Sequence, residues 1–82
     1  MTPKKLYKIG EVIRYSGISR QTLHNYTMLG LIREVERTES GHRLYGPDVF
    51  ERLERVIALK KEEKTLRDIQ DIISREFAEQ VM

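Results

Sequence analysis

Arg20, Gln21, His24 and Asn25 recur at spacings that place them on one side of a helix. Their chemistry is that of recognition. The amides of Asn and Gln pair with adenine edges, and the guanidinium of Arg bonds guanine or phosphate. A second group follows in "TESGHRLYGPDV", residues 38–49, where His42, Arg43 and Tyr45 come directly after Ser40-Gly41. Ser-Gly suits a tight turn with a positive φ. Arg43 and Tyr45 stand two apart, so on a strand they share a face. Both residue types suit contact with a nucleic-acid backbone or groove, and the turn would project them.

Other chemistries have little to build on. There is no cysteine, so disulfides and Cys-based zinc sites are excluded. His24 and His42 lack a surrounding carboxylate pattern of the kind a catalytic metal requires. No Ser-His-Asp arrangement, paired carboxylates or phosphate-cradling Gly-rich loop is present, and 82 residues leave little room for a pocket. The chain therefore reads as a non-enzyme needing neither cofactor nor metal. No apolar run is long enough to cross a bilayer and no signal-peptide core follows Met1, which makes the expected location cytoplasmic. The net charge of +2 conceals an asymmetry. Residues 1–46 hold eight Lys/Arg against four Asp/Glu, whereas residues 47–82 hold seven against nine. Basic charge thus gathers where the candidate residues lie, as a polyanion partner requires.

The elements that must position these residues can be read from periodicity and punctuation. Ile9, Val12 and Ile13 predict a first helix over about 9–16, with Gly17 as its stop and Ile18 turned to the core. Ser19 is a good N-cap for a second helix that offers Leu23 and Tyr26 to the core and ends at Gly30. Two short helices across a Gly-containing turn form a helix-turn-helix, here about residues 9–28. Residues 32–45 then predict a two-stranded wing turning over Thr38–Gly41, with Ile32, Val35 and Arg37 on one side of the turn. Such a hairpin is marginal unless it leans on helices. A third helix over about 47–62 places Pro47 at its first position after Gly46, with Val49, Leu53, Val56 and Ile57 buried. Residues 60–64, "KKEEK", read as a solvated break. Thr65 with Asp68 forms a capping-box variant for a fourth helix over about 66–76, whose apolar face is Leu66, Ile69, Ile72, Ile73 and Phe77. Tyr7 and Tyr15 read as core-rim aromatics. The fold class is thus mainly α, a single winged helix-turn-helix domain of four helices with a short two-stranded antiparallel wing.

"YKIGEVIRYSGISRQTLHNYTMLGLI", then "GHRLYGPDV" and "LKKEEKTLRDIQDII", resembles the winged-helix DNA-binding domain of MerR-type transcriptional regulators. The resemblance covers roughly residues 7–73. It implies sequence-specific binding to near-palindromic promoter or operator DNA, with the second helix in the major groove and the wing on backbone or minor groove. It also implies a second copy on the DNA, and action on RNA polymerase through a twisted and bent promoter spacer. By that similarity Tyr26 contacts backbone, and Arg43 and Tyr45 belong to the wing. The resulting DNA-binding set is Arg20, Gln21, His24, Asn25, Tyr26, His42, Arg43 and Tyr45. His24, Asn25, Thr27 and His42 depart from the commonest family pattern, so no family operator is carried over. Family members continue into a long coiled-coil helix, and "SREFAEQVM" is too short for one. The 82-residue chain is expected to be monomeric or only weakly associated when free; a tight dimer would contradict this and point to the fourth helix and the Phe77/Val81 tail as the partner surface. The alternative reading is a small winged-helix adaptor or protein-interaction module, for example in phage DNA packaging or excision.

Overall fold

A computed structural model of the chain describes residues 5–77. Val81, named above for the case of a tight dimer, lies outside that range. The first helix, α1, runs Ile9–Ser16. Glu11 fixes its start by accepting a 2.9 Å bond from the Lys8 backbone N–H. Gly17 stops it with a left-handed φ of 76°, a conformation that costs glycine nothing. Helix α2, Arg20–Met28, begins where the Ser19 hydroxyl accepts from the Thr22 N–H at 3.0 Å. These are the expected helix-turn-helix boundaries to within a residue.

Three short strands follow a pattern only partly foreseen. β1 is Tyr7–Lys8, β2 is Glu34–Arg37 and β3 is Arg43–Tyr45, paired antiparallel in the order β1-β3-β2. The β2–β3 hairpin is the expected wing, closed by a 2.9 Å bond from Gly41 N–H to Thr38 O, with Gly41 at φ 88°. The two-stranded wing is corrected to a three-stranded sheet, because Tyr7 pairs with Tyr45 and Lys8 with Leu44. A two-residue strand carries no alternation of its own, and only its partner makes it one. The pairing between β2 and β3 slips between Glu34 and Glu36, so Val35 is the extra residue of a bulge. Val35 is therefore 52% exposed while Ile32 is buried, and the two do not share the face expected of them.

Helix α3 runs Asp48–Lys61 and α4 runs Leu66–Glu76. Pro47 stands at the N-cap of α3 rather than at its first helical position, one residue earlier than expected. The α4 cap is as expected. Thr65 Oγ1 accepts from Asp68 N–H at 3.1 Å, and the Asp68 carboxylate accepts from Thr65 N–H at 3.4 Å. Val49, Leu53, Val56, Ile69 and Ile73 form the core with Val12, Leu23 and Tyr26, joined by Leu31, Ile32 and Leu59. Ile57 is only half-buried, and Leu66 is 47% exposed at the first position of α4, on a turn that does not face the core. Tyr15 is a further correction. It is 77% exposed, its ring tilted against Phe50 at 4.6 Å between centroids, while Tyr7 meets Phe50 edge-on at 4.8 Å.

Arg52 ties these layers together from inside. Its guanidinium is buried, donates to Asp48 Oδ2 at 3.1 Å and to Leu31 O at 3.3 Å, and lies 4.6 Å from the Phe77 ring centroid. Burial, and then the nearby charge of Arg33, pull its pKa below the ordinary value against the opposing effect of Asp48. Of the described residues, no helix is long and apolar enough to cross a membrane.

Candidate nucleic-acid interface

Helix α2 buries Leu23 and Tyr26 and leaves Arg20, Gln21, His24 and Asn25 exposed, as its periodicity requires. Gln21 Nε2 donates to Asn25 Oδ1 at 3.0 Å, so the two amides form a bonded pair along the exposed side. The Asn25 amino group and the Gln21 carbonyl remain for an outside partner.

Two grooves border this face on the wing side. One, of about 480 Å³, is lined by Ile9, Arg20, Gln21, Leu23, His24 and Arg43. The adjoining one, of about 320 Å³, brings Lys8, Gly10, Thr38, Ser40 and His42 together with Ile9, Arg20 and Arg43. Arg43 spans the gap between helix and wing, its Nη1 lying 3.1 Å from His24 Nδ1. Its Nε is buried without a hydrogen-bond partner and makes only a 3.6 Å ion pair with Glu34. Glu34 is engaged elsewhere, accepting from Arg37 through two bonds of 2.7 and 2.9 Å. That Arg37 fork holds the Glu34 carboxyl below the usual carboxylate range, with Arg43 adding to the effect.

The other border of α2 is basic as well. Tyr26 is buried, but its hydroxyl accepts from Lys60 Nζ at 3.3 Å. A groove of about 370 Å³ joins Ile18, Thr22 and Tyr26 to Ile57, Lys60 and Lys61 at the end of α3. The "KKEEK" break thus brings two of its lysines beside α2, a proximity the sequence does not signal.

Tyr45 requires a correction. It shares a strand face with Arg43, but that face lies on α2 and not outside. Tyr45 is 0% exposed, and its hydroxyl is 2.8 Å from Thr27 Oγ1. Thr27 already donates its own proton to Leu23 O at 2.8 Å, so Tyr45 is the donor. Tyr45 braces the wing and leaves the contact set. Thr27, an unusual choice by the family pattern, is the residue that receives it. His42 is exposed at the wing tip, its backbone N–H donating to Thr38 Oγ1 at 3.1 Å.

Residues 7–76 match the family described as MerR HTH family regulatory protein. The chain belongs to this family. Among curated relatives, it is 34% identical over 67 residues to the mercuric resistance operon regulatory protein of Bacillus cereus, covering 82% of this chain and 51% of that protein. It is 38% identical over 61 residues to the nodulation protein NolA of Bradyrhizobium diazoefficiens, covering 73% of this chain and 26% of NolA. The solved structure of HiNmlR, a MerR family regulator lacking the sensor domain and bound to promoter DNA, superposes with a TM-score of 0.73 at 28% identity, covering 85% of this chain and 56% of that one. The chain thus spans about a quarter to just over half of the length of these proteins.

Proposed function

We propose that this chain is the DNA-reading part of a transcriptional regulator, with α2 lying in the major groove of promoter DNA. The observation that carries the proposal is the pair of basic borders. Lys8, His42 and Arg43 lie on one side of the exposed α2 face and Lys60 and Lys61 on the other. A major groove about 12 Å wide is bounded by two phosphate backbones, so a helix entering it meets anions on both flanks. Arg20, Gln21, His24 and Asn25 then face base edges, while Arg43, Lys60 and the Tyr26 hydroxyl hold phosphates. HiNmlR, bound to promoter DNA, supports the same use of the fold. The chain acts by binding and not by catalysis, in the cytoplasm, with two copies on adjacent half-sites. The adaptor reading has no comparable feature on this face.

Salt-titrated fluorescence anisotropy tests the proposal, using a duplex selected from a randomised pool and a scrambled duplex. The selected duplex should bind more tightly at every salt concentration, and both affinities should fall linearly on a log–log plot. Equal affinity for the two would remove sequence reading, and a flat salt dependence would remove phosphate contact.

A further inference from the structure

The wing and the exposed face of α2 meet through the 3.1 Å contact between Arg43 Nη1 and His24 Nδ1. A guanidinium has N–H donors and no acceptor. The contact is therefore a hydrogen bond only if His24 Nδ1 offers a lone pair, which places the ring hydrogen on Nε2. Arg43 is held for this task, since its side chain is only 19% exposed and its Nε pairs with the Glu34 carboxylate. The other charged or titratable side chains lining the grooves at this ring are Arg20 of α2, Lys8 of β1 and His42 of the wing. None of them is a carboxylate that would draw the hydrogen to Nδ1.

We propose that Arg43 is a positioning residue that locks His24 in the tautomer with hydrogen on Nε2, making His24 a donor that selects guanine over cytosine. The inference rests on the reading that α2 lies in the major groove. A lone N–H donor there is met by the two acceptors of guanine, O6 and N7, as it is by adenine N7 and thymine O4, and is opposed by the amino donor of cytosine. Arg43 thereby sets a base preference without touching the base. An ordinary phosphate-binding arginine would not do so.

Two measurements decide the point. Long-range proton–nitrogen correlation NMR on the free protein should show His24 as a single tautomer, with Nδ1 bare and Nε2 protonated. In Arg43→Ala the ring should sample both tautomers. A hydrogen resident on Nδ1 in the wild type would overturn the proposal, whatever the protein does with DNA. Binding is then compared on duplexes carrying guanine or cytosine at each position in turn. Wild type should prefer guanine at one position by about fivefold, the size of one net hydrogen bond. His24→Ala and Arg43→Ala should each abolish that preference, and the double variant should lose no more than either single one. Arg43→Ala also weakens binding to all sequences, which leaves the guanine-to-cytosine ratio as the readout. A guanine preference that needs His24 but survives Arg43→Ala would overturn the positioning role. A preference untouched by His24→Ala would overturn the donor role. A wild type with no sequence preference anywhere would instead sink the major-groove reading itself, and the base-selecting role with it.

Discussion

Arg43, Asn25 and Tyr45 carry three different kinds of consequence, and substitution should separate them. Arg43→Ala removes a cation from the groove between helix and wing. It should weaken binding to selected and scrambled duplexes, the selected one further by about fivefold through the lost guanine preference, and flatten the salt dependence by about one unit of slope. Asn25 is neutral and paired only with Gln21. Asn25→Ala should cost about 1 to 3 kcal/mol of discrimination at one base position, with little change in salt slope. Both are read from the same anisotropy titrations, with folding checked by circular dichroism. Tyr45→Phe belongs to stability. It deletes the hydroxyl that donates to Thr27 while leaving the Thr27 bond to Leu23 O in place. The expected cost is about 1 kcal/mol in urea unfolding, with the salt slope for DNA unchanged. A Tyr45→Phe variant of full stability and altered slope would return Tyr45 to the contact set.

At the scale of elements, the ends of the helices are where single changes should register most cleanly. Thr65 caps α4 reciprocally with Asp68. Thr65→Ala should destabilise by about 1 kcal/mol, measured by chemical denaturation. The other end of that break is strained. Glu63 has φ 62°, the one non-glycine residue of the described chain in the left-handed region, and it closes α3 with Lys64 N–H bonded to Leu59 O at 3.3 Å. A left-handed L-residue costs about 1 to 2 kcal/mol, part of which a glycine returns as unfolded-state entropy. Glu63→Gly should therefore stabilise by about 0.5 to 1 kcal/mol. A fall in Tm for this variant would mean that the Glu63 side chain contributes more than its backbone costs.

The whole molecule is held against acid by exposed carboxylates with defined partners. Glu76 lies below the ordinary value of 4.5 chiefly because Arg55 donates to it through two 2.8 Å bonds. Glu34 is lowered by Arg37, and Glu11 by the Lys8 backbone N–H. A depressed carboxylate stabilises the folded state above its unfolded pKa, and that contribution is lost as pH falls through the folded one. Tm should thus be insensitive to these groups near neutrality and decline progressively as the pH drops below 4.5. Glu76→Gln should make that decline shallower. A Tm profile for wild type that stays flat down to pH 3 would contradict the assignment, because protonation of these carboxylates must remove their contribution below about 4.5.

What the sequence by itself determined is what neighbours along the chain decide. Ser19 and Thr65 announce α2 and α4, Gly17 and Gly41 mark a stop and a turn, and the spacing of Leu23 and Tyr26 sets which side of α2 is exposed. Each is a local matter of hydrogen-bonding or of φ within a few residues. Their order and spacing also sufficed to show the family resemblance. Tertiary structure alone decided which way the shared face of Arg43 and Tyr45 points. It also decided that Tyr7 and Lys8 complete a sheet and that Lys60 reaches Tyr26. Thr27 meets Tyr45 across 18 positions, His24 meets Arg43 across 19, and Tyr26 meets Lys60 across 34. A period of two says that Arg43 and Tyr45 share a side, but not what lies on it. That depends on where the packed core puts α2, because burying Leu23, Tyr45 and Val56 together leaves the wing only one side on which to lean.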